Sequence, residues 1–529
     1  MSKRRILLAG ATALALAGLA AGGAASGSVT ASAAKPAAPV VVAPELEQAP
    51  ASTFVTSASS SDACTLPDGT GNTVYHCYTP QQIRSSYGVD NVADLASGEP
   101  NYGQGQTIVL VDAYGSSTAA ADLQHFHDTF FPSLPNPDFQ EVYPLGNPQG
   151  STCNGQGKGN AGTCAAAGWT GEATLDIEWA YSIAPEAHII LLATPPAETE
   201  GVQGLPNMMK AISDEITALP SGTVFSMSFG TDEPDFEGAG AAQTAKFDAT
   251  FQAGIAKGDN FFAAAGDDGD VATLKQANET ATGTTPSVGW PASSPYVVAV
   301  GGTQLMDGWT WDPTSDDPST VAYFNSVPSS TVNNAVWNES WAPIATGGGA
   351  SEIYARPSWQ ANVDPSLGDH RIVPDTSWNA AVNGGVDVYI SSFPSYNCGT
   401  GATTGCWTFY GGTSAATPQT AALVALANAA RSSAGKAPLG FLDPILYSGV
   451  GASSAYTDVV PEHLGSAPAS FAGSDVGVSG TVNKSVGDLV DNQMYGSSVP
   501  GYPTTAGYDA NTGWGTPNAP AFVAALLAQ

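Results

Sequence analysis

Short apolar runs alternate with longer helical segments along most of the chain. The runs that predict strands lie at 107–111, 188–192, 223–229, 260–265 and 296–300. The segments that predict helices lie at 119–130, 172–182, 208–219, 247–257 and 415–430. This alternation predicts an α/β fold in which a central, mostly parallel sheet is covered by helices on both faces.

Three polar residues lie at or near the ends of predicted strands: Asp112, Asp267 and Ser414. Ligands of parallel sheets bind at the carboxyl ends of the strands. We therefore expect these three residues to lie close to a binding or catalytic site.

Ser414 is a candidate nucleophile. Residues 411–418 read GGTSAATP and lead into the alanine-rich predicted helix. A helix N-terminus favours developing negative charge, and the preceding glycines allow a tight turn and close approach of a substrate. The alternative is an ordinary helix cap without chemistry.

Glu172 and Asp176 are a candidate catalytic pair. They are four residues apart in a predicted helix and therefore share one face. Their neighbours are largely apolar, and partial burial would let the two carboxyl groups share one proton and serve as a general base. The alternative is a solvated acidic first turn, which the helix dipole favours.

The motifs together resemble the sedolisin family of serine-carboxyl peptidases, which share a subtilisin-like three-layer fold. Glu172 to Asp176 looks like the family's Glu-x-x-x-Asp helix, and residues 264–269, AAGDDG, look like its oxyanion turn. Each motif alone is weak, but the set follows the family's order over roughly 78–529. The further matching stretches are 291–296, 301–303, 346–351, 357–360 and 373–375.

The resemblance implies a role for each of these residues. Ser414 would attack the peptide carbonyl, Glu172 would act as general base, and Asp176 would orient Glu172. A protonated Asp267 would donate a hydrogen bond to the oxyanion, and Asp112 would support the carboxyl network. The implied activity is a secreted endopeptidase that works in acid.

Two departures from the family pattern stand out. Phe229 occupies a position where the family often carries tryptophan. Larger family members carry a long folded prosegment, whereas here only about forty residues separate the predicted signal from Cys77. Autoinhibition and self-processing therefore do not follow from the resemblance.

The resemblance also implies one structural calcium ion near the C-terminus. Asp458 and Asp509 would supply carboxylates, and Val459, Thr505 and Gly507 would supply backbone oxygens. Calcium prefers such a set of hard oxygen ligands. The alternative is an aspartate- and glycine-rich turn region that holds no ion.

Two other functions remain open from the residues. One is a subtilisin-like Asp/His/Ser hydrolase that uses Asp112 with His125 or His127, although the His-Gly-Thr motif of such enzymes is missing. The other is a non-catalytic secreted binding protein on the same fold.

The charge balance restricts the partners. The 529 residues include 15 basic and 47 acidic side chains, for a net charge of −32. Such a polyanion is repelled by nucleic-acid phosphates and anionic lipids, so we expect neither as a partner. A charged fraction of 12% with 43% hydrophobic residues excludes a disordered acidic chain. The expected partners are protein or peptide substrates, and a monomer is expected.

The N-terminus predicts export. A basic start, an apolar stretch and a small-residue end give a signal peptide at 1–34, with a membrane anchor as the alternative. Residues 35–76 are predicted to be a linker or short propeptide, and 77–529 a single peptidase domain. Residues 303–345 are expected to form a surface excursion near the cleft.

The six cysteines fit an oxidising compartment. They fall in three close pairs, and we expect sequence neighbours to be bonded because each pair closes a short loop. The pairs are Cys64 with Cys77, Cys153 with Cys164, and Cys398 with Cys406.

Overall fold

The fold is built around a mostly parallel sheet, seen in a computed structural model. The model describes residues 43–44, 47–48, 77–94, 97–146, 161–194, 202, 204–276, 279–305, 334–339, 344–382, 384–399, 401–463, 488–494 and 497–529. Side chains are not described for every residue of these ranges.

The strands of these ranges vary from two to eight residues. In chain order they are β1 Ala43–Pro44, β2 Glu47–Gln48, β3 Cys77–Tyr78, β4 Thr107–Ala113, β5 Phe139–Val142, β6 His188–Thr194, β7 Val224–Met227, β8 Phe229–Asp232, β9 Asn260–Ala264, β10 Val271–Gln276, β11 Glu279–Pro286, β12 Gly289–Trp290, β13 Val298–Leu305, β14 Asn334–Val336, β15 Asn338–Glu339, β16 Ile344–Ala345, β17 Gly349–Ala355, β18 His370–Val373, β19 Thr376–Asn379, β20 Gly385–Ile390, β21 Cys406–Gly411, β22 Tyr456–Thr457, β23 Glu462–His463, β24 Asp488–Leu489 and β25 Thr516–Pro517.

The helices differ widely in length. They are α1 Pro80–Ser86, α2 Ala119–Phe130, α3 Ala161–Ile183, α4 Leu205–Ala218, α5 Gly240–Lys257, α6 Pro394–Asn397, α7 Thr413–Ser433, α8 Asp443–Ile445 and α9 Ala519–Ala528. Short 3-10 segments lie at Val89–Asn91, Glu233–Ala239, Ser358–Gln360 and Pro365–Leu367, and a π-helical turn at Leu446–Val450.

The main sheet has the strand order β14-β13-β9-β7-β4-β6-β5, with β19 also paired to β13. The pair β13–β14 is antiparallel and the remaining pairs are parallel. Helices α2, α3, α4 and α5 lie along the chain between the successive parallel strands β4, β5, β6, β7 and β9, and they form the crossovers of this part of the sheet. The predicted α/β class is confirmed.

Alternate residues of the central strands enter two separate cores. Ile108 and Leu110 of β4 lie in a core with residues of α3 and α7, whereas Val109 and Val111 pack with residues of α4 and α5. Successive side chains of a strand point to opposite faces, so each face of the sheet is covered by its own helices. This produces the three layers.

The predicted element bounds differ most at the catalytic helix. Helix α3 begins at Ala161, eleven residues before the predicted start, and ends at Ile183, ahead of Pro185. Alanine is a strong helix former, and the three alanines at 165–167 favour helix even though Gly168 and Gly171, which disfavour it, follow. Glu172 therefore lies in the middle of the helix and is buried, so a solvated first turn was the wrong alternative.

Other boundaries also shift. The predicted strand 223–229 is two strands, β7 and β8, that meet at Ser228. The run 296–300 is strand only from Val298, and the strand continues to Leu305. The expected excursion starts later than 303, because Thr303 pairs with Val336 in the sheet. Residues 306–333 lie outside the described residues.

Two small sheets carry the N-terminal strands. Strand β1 pairs antiparallel with β8, in the sheet β1-β8-β12. Strand β2 pairs antiparallel with β21, in the sheet β2-β21-β20-β3. In the second sheet β3 lies parallel to β20, so residues on both sides of the 49–76 stretch belong to one sheet.

One of the three expected disulfides is seen directly. Cys398 and Cys406 are bonded, and they join the end of α6 to the start of β21. Cys77 is also disulfide-bonded. Its expected partner Cys64, like Cys153 and the side chain of Cys164, lies outside the described residues.

None of the described helices is both long and apolar enough to cross a lipid bilayer. The predicted signal peptide at 1–34 lies outside the described residues.

Candidate active site

Ser414 is the second residue of α7 and is fully buried. The turn into the helix passes through Gly412, whose φ of 96° lies in the left-handed region that favours glycine. Its hydroxyl Oγ donates to the carbonyl oxygen of Ser228 at 3.4 Å. The serine thus lies at a helix N-terminus beside the junction of β7 and β8.

Glu172 and Asp176 lie one turn apart on α3, which packs directly against α7. Both are fully buried. Asp176 accepts a hydrogen bond at Oδ1 from Ser228 Oγ at 2.9 Å. Ser228 therefore contacts both sides of the site, since its carbonyl accepts from Ser414 and its hydroxyl donates to Asp176.

Burial raises the pKa of Glu172 well above its ordinary value, and the charges of Asp176 and Asp112 raise it further. The nearby hydroxyl of Ser414 acts in the opposite direction. That hydroxyl donates to Ser228, however, and neither oxygen of Glu172 has a hydrogen-bond partner among the described residues. In this conformation the Ser414 hydroxyl is therefore hydrogen-bonded to Ser228 and not to Glu172.

Asp176 has a similar environment. Burial raises its pKa well above the ordinary value, the charge of Asp112 adds to this, and the hydrogen bond from Ser228 and the adjacent carboxyl group of Glu172 lower it. Two buried carboxyl groups this close cannot both ionise cheaply, so they retain a proton between them.

Asp112 is the third buried carboxyl group of the site. It is the second-to-last residue of β4, and neither of its carboxyl oxygens has a hydrogen-bond partner within the described ranges. Burial raises the pKa of Asp112 to about 8. Its charge acts on both Glu172 and Asp176, so the structure places it in the same carboxyl cluster.

Asp267 follows β9 in a glycine turn and is buried. Its Oδ1 accepts two hydrogen bonds from Thr413, from the backbone N at 2.7 Å and from Oγ1 at 2.8 Å. Thr413 Oγ1 in turn accepts from Gly266 N at 3.1 Å. Thr413 directly precedes Ser414, so these bonds fix Asp267 beside the serine. A proton on this carboxyl group is expected on Oδ2, because Oδ1 accepts both bonds.

Two residues of the site were not identified from the sequence, Ser228 and Thr413. Ser228 directly precedes Phe229, and Thr413 lies inside the GGTSAATP stretch of residues 411–418. For Thr413 the available signal was a hydroxyl side chain directly before the candidate nucleophile. Phe229, at the family's tryptophan position, is buried near Trp169, with 6.4 Å between the ring centroids.

The histidines of the alternative mechanism are engaged elsewhere. His127 Nδ1 lies 2.6 Å from the hydroxyl of Tyr181, and His125 packs against Tyr389 with 3.9 Å between ring centroids and an angle of 36° between ring planes. The described contacts of Ser414 include neither histidine.

The predicted calcium ligands also come together. Asp458 Oδ2 accepts from Gly507 N at 2.8 Å, and Asp509 Oδ2 accepts from Thr505 N at 3.0 Å. Within the described ranges, no backbone amide donates to the carbonyl oxygens of Val459, Thr505 or Gly507. Within these ranges, no three His, Cys, Asp or Glu side chains lie close enough together to bind one metal ion. Carbonyl oxygens can complete a calcium shell around two carboxylates, so this set fits the ion.

Comparison with known proteins places the chain in a family. Residues 103–439 match the model of the subtilase family. Kumamolisin of Bacillus sp. (strain MN-32) is 31% identical over 70% of this chain and 55% of its own length. Human tripeptidyl-peptidase 1 is 26% identical over 87% of this chain and 66% of its own length. The chain thus spans less than two thirds of these relatives.

A solved structure agrees with this placement. Pseudomonas sedolisin, a serine-carboxyl proteinase complexed with two molecules of pseudo-iodotyrostatin, superposes with a TM-score of 0.57 at 25% identity. The match covers 85% of this chain and 98% of that one. The chain therefore belongs to the subtilase family, and within it to the sedolisin family of serine-carboxyl peptidases.

Proposed function

We propose that this protein is a serine-carboxyl endopeptidase that hydrolyses peptide bonds of protein or peptide substrates in acid. One observation carries the proposal: a serine at a helix N-terminus lies among buried carboxyl groups rather than beside a histidine. Carboxyl groups with raised pKa values can exchange protons with a serine where an exposed carboxylate could not.

Each residue has a defined task in the proposed reaction. Ser414 Oγ attacks the carbonyl carbon, and its proton passes to Glu172. Glu172 gives that proton to the leaving amine as the C–N bond breaks and an ester forms on Ser414. Water then hydrolyses the ester by the reverse proton path, which releases the acid product and restores the serine. Asp176 orients Glu172, and Asp112 helps keep a proton within the cluster.

Asp267 would stabilise the transition state. When protonated, it can donate a hydrogen bond to the oxyanion that forms as Ser414 attacks, which an ionised carboxylate cannot do. This requirement, with the proton held by Glu172 and Asp176, supports activity in acid.

The calcium ion would have a structural task. Asp458, Asp509 and the carbonyl oxygens of Val459, Thr505 and Gly507 would hold it. When bound, the ion supplies a cross-link between the loop after β22 and the loop before β25, and it stabilises the folded state by linkage.

The proposed setting of the protein is extracellular. A signal peptide at 1–34 would direct secretion, residues 77–529 would form the peptidase domain, and the protein would act as a monomer. The excess of acidic side chains supports an acidic environment for the protein, because protonation in acid lowers the repulsion between the acidic groups on its surface.

Two variants test the chemistry directly. Ser414→Ala and Glu172→Gln should each abolish hydrolysis of a denatured protein at acid pH while circular dichroism stays unchanged. The double variant His125→Gln/His127→Gln is the matched control and should keep its activity. Full activity of Ser414→Ala, or loss of activity only in the histidine variant, would overturn the proposal.

A further inference from the structure

Tyr114 is a strained residue directly after the strand that carries Asp112. Its φ is 65°, in the left-handed region that a residue as bulky as tyrosine rarely adopts. Gly115 N donates a hydrogen bond to the carbonyl oxygen of Ala113 at 2.7 Å, which closes a three-residue turn around Tyr114. Such a turn with positive φ is rare and strained. Strain of this kind persists where the surrounding structure enforces it, and it clusters at functional sites.

The turn changes the face of the sheet to which the tyrosine ring belongs. Side chains alternate along β4, so Asp112 lies on one face whereas Val111 and Ala113 lie on the other. An extended continuation of the strand would place Tyr114 on the face of Asp112. Instead, Tyr114 lies in the core that contains Val111 and Ala113. The left-handed turn therefore keeps a bulky ring off the face that carries Asp112.

The core that receives the ring is made partly of residues next to the active site. Tyr114 is 4% exposed, and its core includes Trp169 and Phe229. Trp169 lies on α3, three residues before Glu172, and Phe229 directly follows Ser228. The ring is thus anchored in the layer behind the catalytic groups rather than among them.

The backbone around Tyr114 is tied to the neighbouring strands. Tyr114 N donates to the carbonyl oxygen of Thr194 at 3.0 Å, and Thr194 Oγ1 donates to the carbonyl oxygen of Asp112 at 3.2 Å. Ser116 N donates to Glu141 Oε1 at 2.8 Å. These bonds fasten the turn to the ends of β6 and β5, and they hold the strained conformation in place.

We propose that Tyr114 is a positioning residue of the active site. Its left-handed turn keeps the ring off the Asp112 face of β4 and fixes the Asp112 carboxyl group within the carboxyl cluster. The inference rests on the proposed function, in which Asp112, Glu172 and Asp176 hold a proton between them. Because Thr194 bonds to both Asp112 and Tyr114, relaxation of the turn to an extended conformation would move the Asp112 backbone as well as the ring.

The titratable groups around Asp112 come from the elements packed on its face. Its charge acts on Glu172 and Asp176 of α3, and Asp267, which follows β9, acts on Glu172. Helix α7 contributes the hydroxyl of Ser414. Burial raises the pKa of Asp112 to about 8. A relaxed turn would admit water to this carboxyl group and lower its pKa, so the cluster would lose a proton at lower pH.

A comparison of glycine with alanine separates the backbone from the ring. Both lack the ring, but glycine adopts the left-handed region readily and alanine does not. Tyr114→Gly should therefore keep most of the wild-type kcat on a peptide substrate in acid, whereas Tyr114→Ala should lose about tenfold. KM should stay unchanged, because Tyr114 is buried and acts through Asp112. Loss of ring packing alone would lower both variants equally.

The pH profile gives a second measurement. The alkaline limb of kcat against pH should move downward in Tyr114→Ala and stay in place in Tyr114→Gly. Phe393 provides the matched control, because its φ of 41° makes it another left-handed residue other than glycine in the described part of the chain. Phe393→Ala should leave the limb unchanged. A shift of the same size in Phe393→Ala, or no shift in Tyr114→Ala, would overturn the inference.

A second pair of variants decides the point if Tyr114→Ala does not fold, which circular dichroism shows. Asparagine tolerates the left-handed region and leucine does not, so Tyr114→Asn should have the higher kcat of Tyr114→Asn and Tyr114→Leu. Equal kcat values of the two members of a folded pair, with a wild type that hydrolyses the peptide in acid, would overturn the inference and leave the proposed function standing. Absence of hydrolysis in the wild type would overturn the proposed function instead.

Discussion

Thr413 holds Asp267 by two hydrogen bonds to one oxygen, from its backbone N at 2.7 Å and its Oγ1 at 2.8 Å. The residue next to the proposed nucleophile therefore positions the proposed oxyanion donor. Any movement of the start of α7 moves both groups together. Serine and oxyanion donor thus keep their relative geometry, which transition-state stabilisation depends on.

Removal of the Thr413 hydroxyl should lower kcat. In Thr413→Val the backbone bond to Asp267 remains, but the Oγ1 bond is lost, so we expect a fall of about tenfold, the effect of about 1.4 kcal/mol. Thr417→Val is the matched control, because Thr417 Oγ1 donates within α7, to the carbonyl of Thr413 at 2.7 Å. Steady-state kinetics at acid pH compares the two, and equal losses would contradict a positioning role.

Substitution of Asp267 should separate the donor role from simple packing. Asp267→Ala removes the donor and should lower kcat about 100- to 1000-fold. Asp267→Asn keeps an N–H donor that needs no added proton, so it should lose less activity than the alanine variant. The kcat of both, measured on one peptide, decides the point, and an asparagine variant as slow as the alanine variant would argue against the role.

Loss of the Ser228 hydroxyl should change the pH profile. Ser228 Oγ lowers the pKa of Asp176 by donating to it, so in Ser228→Ala the proton should stay on Asp176 to higher pH. The alkaline limb of the kcat–pH profile should therefore move upward. Ser226→Ala is the control, because Ser226 Oγ is buried and has no hydrogen-bond partner in the part of the chain that the structure describes. A shift of the same size in both variants would contradict the assignment.

The stability of the protein should fall as pH rises. The pKa of Asp112 is about 8 in the folded protein, against 3.8 ordinarily, so the folded state binds this proton more tightly. The stabilisation is complete below pH 3.8 and is lost as pH rises through 8. In Asp112→Asn the free energy of unfolding should depend less on pH between 4 and 8. Each pKa unit corresponds to about 1.4 kcal/mol.

Denaturant titrations at pH 4 and pH 8 measure this change in the free energy of unfolding. Asp364→Asn is the control, since Asp364 is an exposed group whose pKa is lowered by the Ser366 backbone. It should leave the fall between pH 4 and 8 unchanged. If the free energy of unfolding of Asp112→Asn depended on pH as steeply as that of the wild type, the Asp112 carboxyl group would not be the source of the pH dependence.

Calcium should raise the thermal midpoint. If the ion bridges the loops of Asp458 and Asp509, then calcium at 100 times its Kd adds about 2.7 kcal/mol of stability. Asp458→Ala should remove the increase while hydrolysis below the melting range continues. Differential scanning fluorimetry with calcium, magnesium or chelator provides the measurement. An equal response to magnesium, or an unchanged response in the variant, would contradict the site.

The sequence predicts local features of this protein well. The four-residue spacing of Glu172 and Asp176 requires a shared helix face, and α3 provides it. Strand alternation predicts two covered sheet faces, because each core takes every second residue of β4. The position of the pair along the helix was wrong because the alanines ahead of it extend α3 by three turns.

Long-range contacts were not predictable in the same way. The bonds from Ser228 to Asp176 and from Thr413 to Asp267 join residues 52 and 146 positions apart. The strands β1 and β2 are held by backbone pairing, which requires no particular side chains. Their stretch of alanine, proline and valine therefore indicated a linker, and only the register of the pairs shows where it lies.

The pairing of β2 with β21 has a consequence for a cut anywhere in the stretch between β2 and β3. Both strands belong to the sheet that contains β21, which ends three residues before Ser414. A cut by an added protease within 49–76 would turn the pairing of β2 from an intramolecular contact into a contact between two fragments. The two-residue strand would then lose the effective concentration that the covalent link supplies.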